Sequence, residues 1–267
     1  MVKVGVDAGG TLIKIAYREN SQWRFTTFPT RHIQEAAIWL QNEWNDLHIC
    51  LTGGKAGAMK RLLNTAVSEC LEFTATCRGA VHLARQQALP VGDRFILANV
   101  GTGTSVHLIE GDRYRRVAGS GIGGGTFVGL SYLLTGEGDF QRLVTFSEKG
   151  RRDRLDLQVK DIYTGIDSPI LGSLTASNFG KAGNESTIKE DAVAAVAGMV
   201  AETVTIISTQ EAEHYEADVI VYIGSTFHHH PVLAEAVSTY TKMKEKMPCF
   251  LENGEMSGAI GALLLKD

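Results

Sequence analysis

Val2-Lys3-Val4-Gly5-Val6-Asp7-Ala8-Gly9-Gly10-Thr11-Leu12-Ile13-Lys14-Ile15-Ala16-Tyr17 runs from one apolar segment through a glycine turn into another, and its reading decides the fold. Val2–Val6 and Leu12–Tyr17 have the hydrophobic pattern of strands, and Gly9-Gly10 breaks them apart. Paired glycines let the main chain bend so that N–H groups can face an anion with no Cβ in the way. Thr11 adds a hydroxyl and Lys14 a positive charge. Asp7, at the end of a buried strand, is costly there unless a cation or its water shell meets it. An ordinary Gly-Gly hairpin with a capping Asp is the structural alternative for these residues.

The same logic restarts near residue 94. Phe95–Val100 reads as a buried strand, Gly101-Thr102-Gly103-Thr104-Ser105 as a second glycine and hydroxyl turn, and Val106–Ile109 and Tyr114–Ala118 as two further strands. Asn99–Ser105 alone is an ordinary turn. In the equivalent place of a second half, it makes with Asp7–Lys14 a paired phosphate clamp across a cleft. Around the first turn lie a third strand (Trp23–Phe28), a helix from His32 to Leu47, a strand His48–Leu51, a helical Ala56–Leu63, an extended Glu69–Phe73 and a helix Thr74–Gln87. After the second come helices near Phe127–Leu134 and Phe140–Lys149, and a long helix Ser186–Ala212 with small residues on its apolar face. A strand–helix–strand–helix end follows: Val219–Ile223, Val232–Tyr240, Pro248–Leu251 and Gly258–Leu265. Strands and helices in this order imply mixed sheets flanked by helices. The turn Pro90-Val91-Gly92-Asp93 divides the chain into lobes 1–93 and 94–267.

Composition agrees with a two-lobed globular protein. The 267 residues suit two domains, and 44% hydrophobic with 21% charged residues excludes disordered, collagenous and coiled-coil classes. A net charge of −4 gives no broad footprint for nucleic acid or an anionic membrane, so neither is expected as a partner. Twenty-nine glycines against five prolines point to close backbone approaches rather than linkers. The chain opens on a strand rather than on a targeting segment, and the apolar run Ala192–Ala201 is short of the ~20 residues of a membrane span. Cys50, Cys70, Cys77 and Cys249 contain no Cys-x-x-Cys and read as buried, reduced thiols of a cytoplasmic enzyme.

Several other segments bear on chemistry. Gly119-Ser120-Gly121-Ile122-Gly123-Gly124 matches Gly-x-Gly-x-x-Gly but follows a hairpin instead of opening a βαβ unit, which argues against a dinucleotide site. A glycine-lined helix N-terminus that accepts a phosphate fits the pattern better. Gly54-Lys55 and Gly180-Lys181 are each followed by Ala, so there is no Walker A. His228-His229-His230 has no partner set suited to a tetrahedral metal, and no protein metal site is expected. In Ile223-Gly224-Ser225-Thr226, small residues at a strand end leave room for an adenine or ribose. Glu72, in an apolar strand end leading into a helix, is the carboxylate whose desolvation suits a general base; helix capping is its structural alternative. Arg115-Arg116 can bind an acidic substrate or a phosphate, or lie on a solvated strand face.

These motifs together resemble the acetate kinase–sugar kinase–Hsp70–actin superfamily, with Asp7–Lys14, Asn99–Ser105 and Gly121–Gly125 as its phosphate-1, phosphate-2 and adenosine elements. Leu71-Glu72-Phe73, Arg115-Arg116-Val117, Gly123–Phe127, Leu174–Gly180, Tyr222–Phe227 and the ending Glu252-Asn253-Gly254…Ser257-Gly258-Ala259-Ile260-Gly261-Ala262 are similar to type II pantothenate kinases of the short bacterial form. The resemblance implies a two-lobed actin-like ATPase fold of duplicated ribonuclease H-like domains. It implies transfer of the ATP γ-phosphoryl group to the 4′-hydroxyl of pantothenate, the first committed step of coenzyme A synthesis. By the same resemblance Glu72 is the general base, and Asp7, Ala8, Gly9, Gly10, Thr11, Leu12, Ile13 and Lys14 hold the triphosphate, with Asp7 orienting Mg²⁺. Thr102 lies near the reacting phosphate; Thr102, Thr104 and Arg116 contact pantothenate; Gly124, Gly125, Thr126, Phe127, Val128, Phe140 and Ser225 contact the nucleotide. Phe140 stands where the short bacterial enzymes carry Tyr, which keeps the ring and drops a hydroxyl. A homodimer is implied, with the helix 186–212 packing one protomer on another. The phosphate motifs alone also fit a sugar kinase or a non-catalytic nucleotide-binding regulator. The Glu72 and Arg116 context argues against the first, and the start at Met1 against a repressor form of the second, while the four scattered cysteines leave an iron–sulfur activator form open.

Overall fold

The computed structural model describes residues 2–163, 167–183 and 188–265. In chain order they form β1 (Val2–Ala8), β2 (Leu12–Glu19), β3 (Gln22–Pro29), α1 (Ile33–Glu43), β4 (Leu47–Thr52), α2 (Ala56–Lys60), β5 (Ala66–Glu69) and α3 (Glu72–Gln86). The second half continues with β6 (Arg94–Val100), β7 (Thr104–Glu110), β8 (Arg113–Ser120), α4 (Gly124–Thr135) and α5 (Phe140–Lys149). Then come β9 (Leu157–Gln158), α6 (Val159–Ile162), β10 (Thr175–Ser177), α7 (Lys189–His214), β11 (Val219–Ile223), α8 (Pro231–Met243), β12 (Met247–Phe250) and α9 (Ser257–Leu264).

The repeat read from the sequence is a repeat of topology. One sheet runs β3-β2-β1-β4-β5 and the other, read in the matching direction, β8-β7-β6-β11-β12. In each, the first three strands form an antiparallel meander and the last two are parallel to the first. The central strands have helices on both faces, so their apolar runs are continuous: Phe95 to Ala98 and the whole of Val219–Ile223 are buried. Strand order reverses beside β1 and again beside β6. Crevices at such points, outside the carboxyl ends of the strands, are where open α/β sheets bind ligands. Asp7 and Asn99 sit at those ends.

Helix α9 follows β12 of the second sheet, yet it packs on β1 and α3 of the first. Glycines make that approach possible: a Cβ at Gly5 would meet the carbonyl of Ala259, one at Gly79 that of Ser257, and one at Gly261 that of Ala75. Helix α7 has the length and composition of a membrane span, but most of it is buried in the second lobe against α4, α5 and α8. Its small residues Ala192, Ala195, Ala197, Gly198 and Ala201 are buried in the chain's own core. Ser186 and Thr187, at the expected start of that helix, lie outside the described residues.

One boundary differs with consequence for the site. Extended structure ends at Glu69, and Glu72 is the first residue of α3, with Leu71 as its N-cap in an extended conformation. A carboxylate in a first turn is favoured by the helix dipole, which explains why the helix claims it from the strand.

Candidate active site

The two glycine turns meet. Thr11 Oγ1 lies 3.0 Å from Thr102 Oγ1, so the hydroxyls of the two motifs touch across the cleft. The first turn is held by Gly9 N–H donating to Leu12 O at 3.0 Å and Lys55 N–H to Ala8 O at 2.8 Å. Thr30, just past β3, supports its other side: its hydroxyl donates to Gly9 O at 2.9 Å and its N–H to Thr11 O at 2.9 Å. An open groove of about 640 Å³, lined in part by Gly10, Thr11, Thr30, Arg31 and Lys55, lies along that side. The second turn is clasped from two loops. Gly124 N–H donates to Gly101 O and Gly125 N–H to Thr102 O, each at 2.8 Å, and Thr226 Oγ1 donates to Gly101 O at 2.9 Å. Gly224 (φ 114°) is required where β11 ends, since a Cβ there would strike the backbone of Val100.

At the foot of these turns stand three charges. Asp7 and Lys14 are directly paired across β1 and β2, and Asp7 pairs with Thr52 on β4. Asp7 Oδ1 is enclosed and has no hydrogen-bond partner within the protein. Burial raises the pKa of Asp7, opposed by Lys14. Glu72 is exposed, yet its pKa is raised as well. Partial desolvation is the first cause and the nearby Asp7 charge the second; Lys14 and a hydrogen bond from Gly54 N–H act the other way. A carboxylate so placed is a better base than one in free water, and it can take a proton from an alcohol that lies between it and the turns.

Beyond Glu72, the start of α3 faces β7 and β8. Arg116 places its guanidinium 5.6 Å from the centre of the Phe73 ring, which lies 5.2 Å from the His107 ring. His107 is buried opposite Arg116 on the neighbouring strand, and its Nε2 is 3.1 Å from Ser105 Oγ. Burial, then the Arg116 charge, push His107 down to about 4, so it is neutral at physiological pH. Arg115, on the opposite face of β8, instead covers Tyr215 at 4.8 Å.

Not every expected contact residue reaches the cleft. Ala8, Ile13 and Phe127 are core side chains, so any contact they make with a nucleotide is through the main chain. Thr104 is 5% exposed and its hydroxyl donates to Ile122 O at 2.7 Å; it braces the 121–123 loop and offers no surface to a substrate. In the first turn of α4, Gly124 N–H and Gly125 N–H bind the second turn and Thr126 Oγ1 donates to Gly121 O at 3.0 Å, so this turn is tied to the second glycine turn. Phe140 opens α5 half-buried, packing edge-on to Phe127 at 5.9 Å, while Val128 and Ser225 are also half-buried, and Leu12 lines the groove behind the turn. His230 caps α8 through Nδ1, and His228 lies 3.6 Å from Glu255.

Sequence reasoning missed two glycines that shape the site. A Cβ on Gly53 (φ 93°) would lie 2.6 Å from Asp7 Oδ1, and one on Gly258 would lie 2.5 Å from Asp7 Oδ2. The small-residue spacing Gly258…Gly261 was the available signal for a close approach. It also missed a half-buried ion cluster behind the second sheet. There Arg152 reaches Asp156 Oδ2 at 2.7 Å and Glu202 Oε1 at 2.7 Å, with Thr175, Asn178 and Tyr240 bonded to Glu202. Six residues spread over nearly ninety positions carry no common motif.

Residues 50–265 match the Fumble family. The chain is 45% identical over 266 residues to the type II pantothenate kinase of Bacillus cereus (strain ATCC 10987 / NRS 248), covering 98% of this chain and 96% of that one. It is 41% identical over 268 residues to the type II pantothenate kinase of Staphylococcus aureus (strain USA300), covering 99% and 100%. Among solved structures, the activator of 2-hydroxyisocaproyl-CoA dehydratase from Clostridium difficile with bound ADPNP aligns at TM-score 0.64 and 15% identity, over 99% of this chain and 94% of that one. A ROK family glucokinase from Streptomyces griseus, in complex with glucose and AMPPNP, aligns at TM-score 0.58 and 14% identity over 99% of both chains. At such identities these structures speak for the fold, which is the duplicated actin-like one.

Proposed function

The chain belongs to the Fumble family, whose curated relatives here are type II pantothenate kinases, and we propose that it transfers the γ-phosphoryl group of ATP to the 4′-hydroxyl of pantothenate. The observation that carries this reading is the contact between Thr11 and Thr102 directly beside the Asp7–Lys14–Glu72 charge cluster. Phosphoryl transfer asks for in-line positioning and neutralised charge more than for covalent help. Gly9, Gly10, Thr11 and Thr102 grip the triphosphate, and Lys14 offsets its charge. Glu72 accepts the hydroxyl proton as the alcohol attacks, and Arg116 binds the polar end of pantothenate. Ser225, Phe140 and the 124–128 segment border the nucleoside.

The enclosed, unpartnered Oδ1 of Asp7 fits a hydrated divalent cation, so Asp7 would hold Mg²⁺ through water. The ion would supply charge neutralisation on the phosphates; it is Asp7 and the two glycines around it that orient it. The enzyme acts in the cytoplasm, as a homodimer. The surface run Tyr132-Leu133-Leu134 on α4, 57, 78 and 54% exposed, supports association through that helix. The lobes divide near residue 93, with α9 returning to the first.

The test is ADP release with a panel of alcohols. Turnover of pantothenate and not of glucose or N-acetylglucosamine is expected; phosphorylation of a sugar but not pantothenate would overturn the assignment.

A further inference from the structure

Leu71 and Phe73, 79% and 47% exposed, flank Glu72 at the start of α3. Phe73 thus offers an apolar ring in the cleft next in sequence to the reactive carboxylate. Phe73 is also held in place. Its ring lies against His107 on one side, and the Arg116 guanidinium sits over it. Since His107 carries no charge at neutral pH, the ring rests on a neutral support, with the Arg116 guanidinium as a cation beside it. The start of α3 therefore sets a carboxylate next in sequence to an aromatic ring, with a guanidinium over that ring.

Resting on the function proposed above, we infer that Phe73 is a specificity residue whose ring receives the two geminal methyl groups of pantothenate. The chemistry of the acceptor matches this arrangement. Its reacting hydroxyl is on a methylene joined to a quaternary carbon with two methyls, followed by a hydroxyl, an amide and a terminal carboxylate. With the hydroxyl at Glu72, the methyls fall next, at Phe73, and the polar remainder falls toward Arg116. A sugar would place a hydroxyl against the same ring and leave it without a partner, which a hydrogen-bonding group tolerates poorly. The exposed phenyl thus selects a branched apolar carbon beside the reacting alcohol and selects against polyols.

The experiment compares Phe73→Ala and Phe73→Leu with wild type on pantothenate and on its analogue with both methyls replaced by hydrogen. The analogue is followed as substrate or, where turnover is slow, as competitive inhibitor. A lost contact with two methyls predicts that kcat/KM for pantothenate falls about 10-fold in Phe73→Ala, mainly through KM. Phe73→Leu falls less, the KM for ATP stays within about two-fold, and the analogue is handled alike by wild type and both variants within about two-fold. Equal losses on both acceptors, a raised KM for ATP, or no loss at all would overturn the inference. Wild-type enzyme inert on pantothenate would instead overturn the function on which it rests.

Discussion

Gly258→Ala is a one-carbon change in the last helix that should disable a carboxylate at the end of the first strand. The added Cβ would sit 2.5 Å from Asp7 Oδ2 and 2.9 Å from its Cγ, about 0.9 Å inside the ~3.4 Å at which ordinary contact begins. Something must move. Helix α9 is pinned where its backbone meets Gly5 and Gly79 and where Gly261 meets the carbonyl of Ala75, so sliding it away would break three close approaches. On its other side Asp7 Oδ1 faces Gly53, close enough that a Cβ there would lie 2.6 Å away. The carboxylate must then rotate or shift by up to about 1 Å, a displacement that costs on the order of 10²-fold when it misplaces a group near the reacting centre. Overpacking would destabilise the protein by ~1–3 kcal/mol, partly offset by the ~1 kcal/mol that Ala gains over Gly within a helix. Steady-state kinetics over a range of Mg²⁺, alongside thermal unfolding, is the assay. We expect kcat down about 10²-fold, a higher Mg²⁺ requirement and a Tm within a few degrees of wild type. Wild-type kcat in a folded Gly258→Ala protein would refute the reasoning, because it would mean that Asp7 is not confined by the last helix.

Other perturbations address the same cluster. Because the pKa of Asp7 is raised in the fold, the folded state holds its proton more tightly and loses relative stability as pH rises above the ordinary carboxylate value of 3.8. Asp7→Asn should therefore raise the neutral-pH Tm of ligand-free protein by about 2–4 °C while abolishing turnover; a lower Tm would show that the buried charge is already compensated. Thr30→Val removes the hydroxyl that supports Gly9 but keeps the shape, and should raise the KM for ATP about 5-fold with little effect on the KM for pantothenate. Thr30→Ser should restore it, and a variant pair with equal, wild-type ATP constants would remove Thr30 from the phosphate turn.

The order of elements was legible because buried strands and amphipathic helices carry different periods, and the second glycine turn announced a repeat that the two sheets reproduce strand for strand. Contacts between distant segments were not legible. The Gly258…Gly261 spacing in Ser257–Leu264 signals a close approach but not that its partners are β1 and α3, since those contacts join segments far apart in sequence. The motif Asp7–Lys14 names a contiguous stretch, but a strand points alternate residues inward, so Ile13 enters the core while Lys14 pairs with Asp7. Thr104 and Thr102 look alike in sequence. One is bonded inside the hairpin and the other is exposed to the cleft, because they fall on opposite sides of where β7 begins. Small residues along α7 suit close packing of any kind, and which neighbours they meet within the chain depends on burial that the sequence does not display.

The central claim is that Glu72 deprotonates an alcohol held at the paired turns, and single-turnover kinetics of Glu72→Gln across pH measures it most directly. Wild type should lose activity as pH falls through the raised pKa of Glu72, while the variant should bind ATP normally, react at least about 10²-fold more slowly and show no such inflection. A Glu72→Gln protein that phosphorylates pantothenate at the wild-type rate, with the wild-type pH profile, would contradict the account.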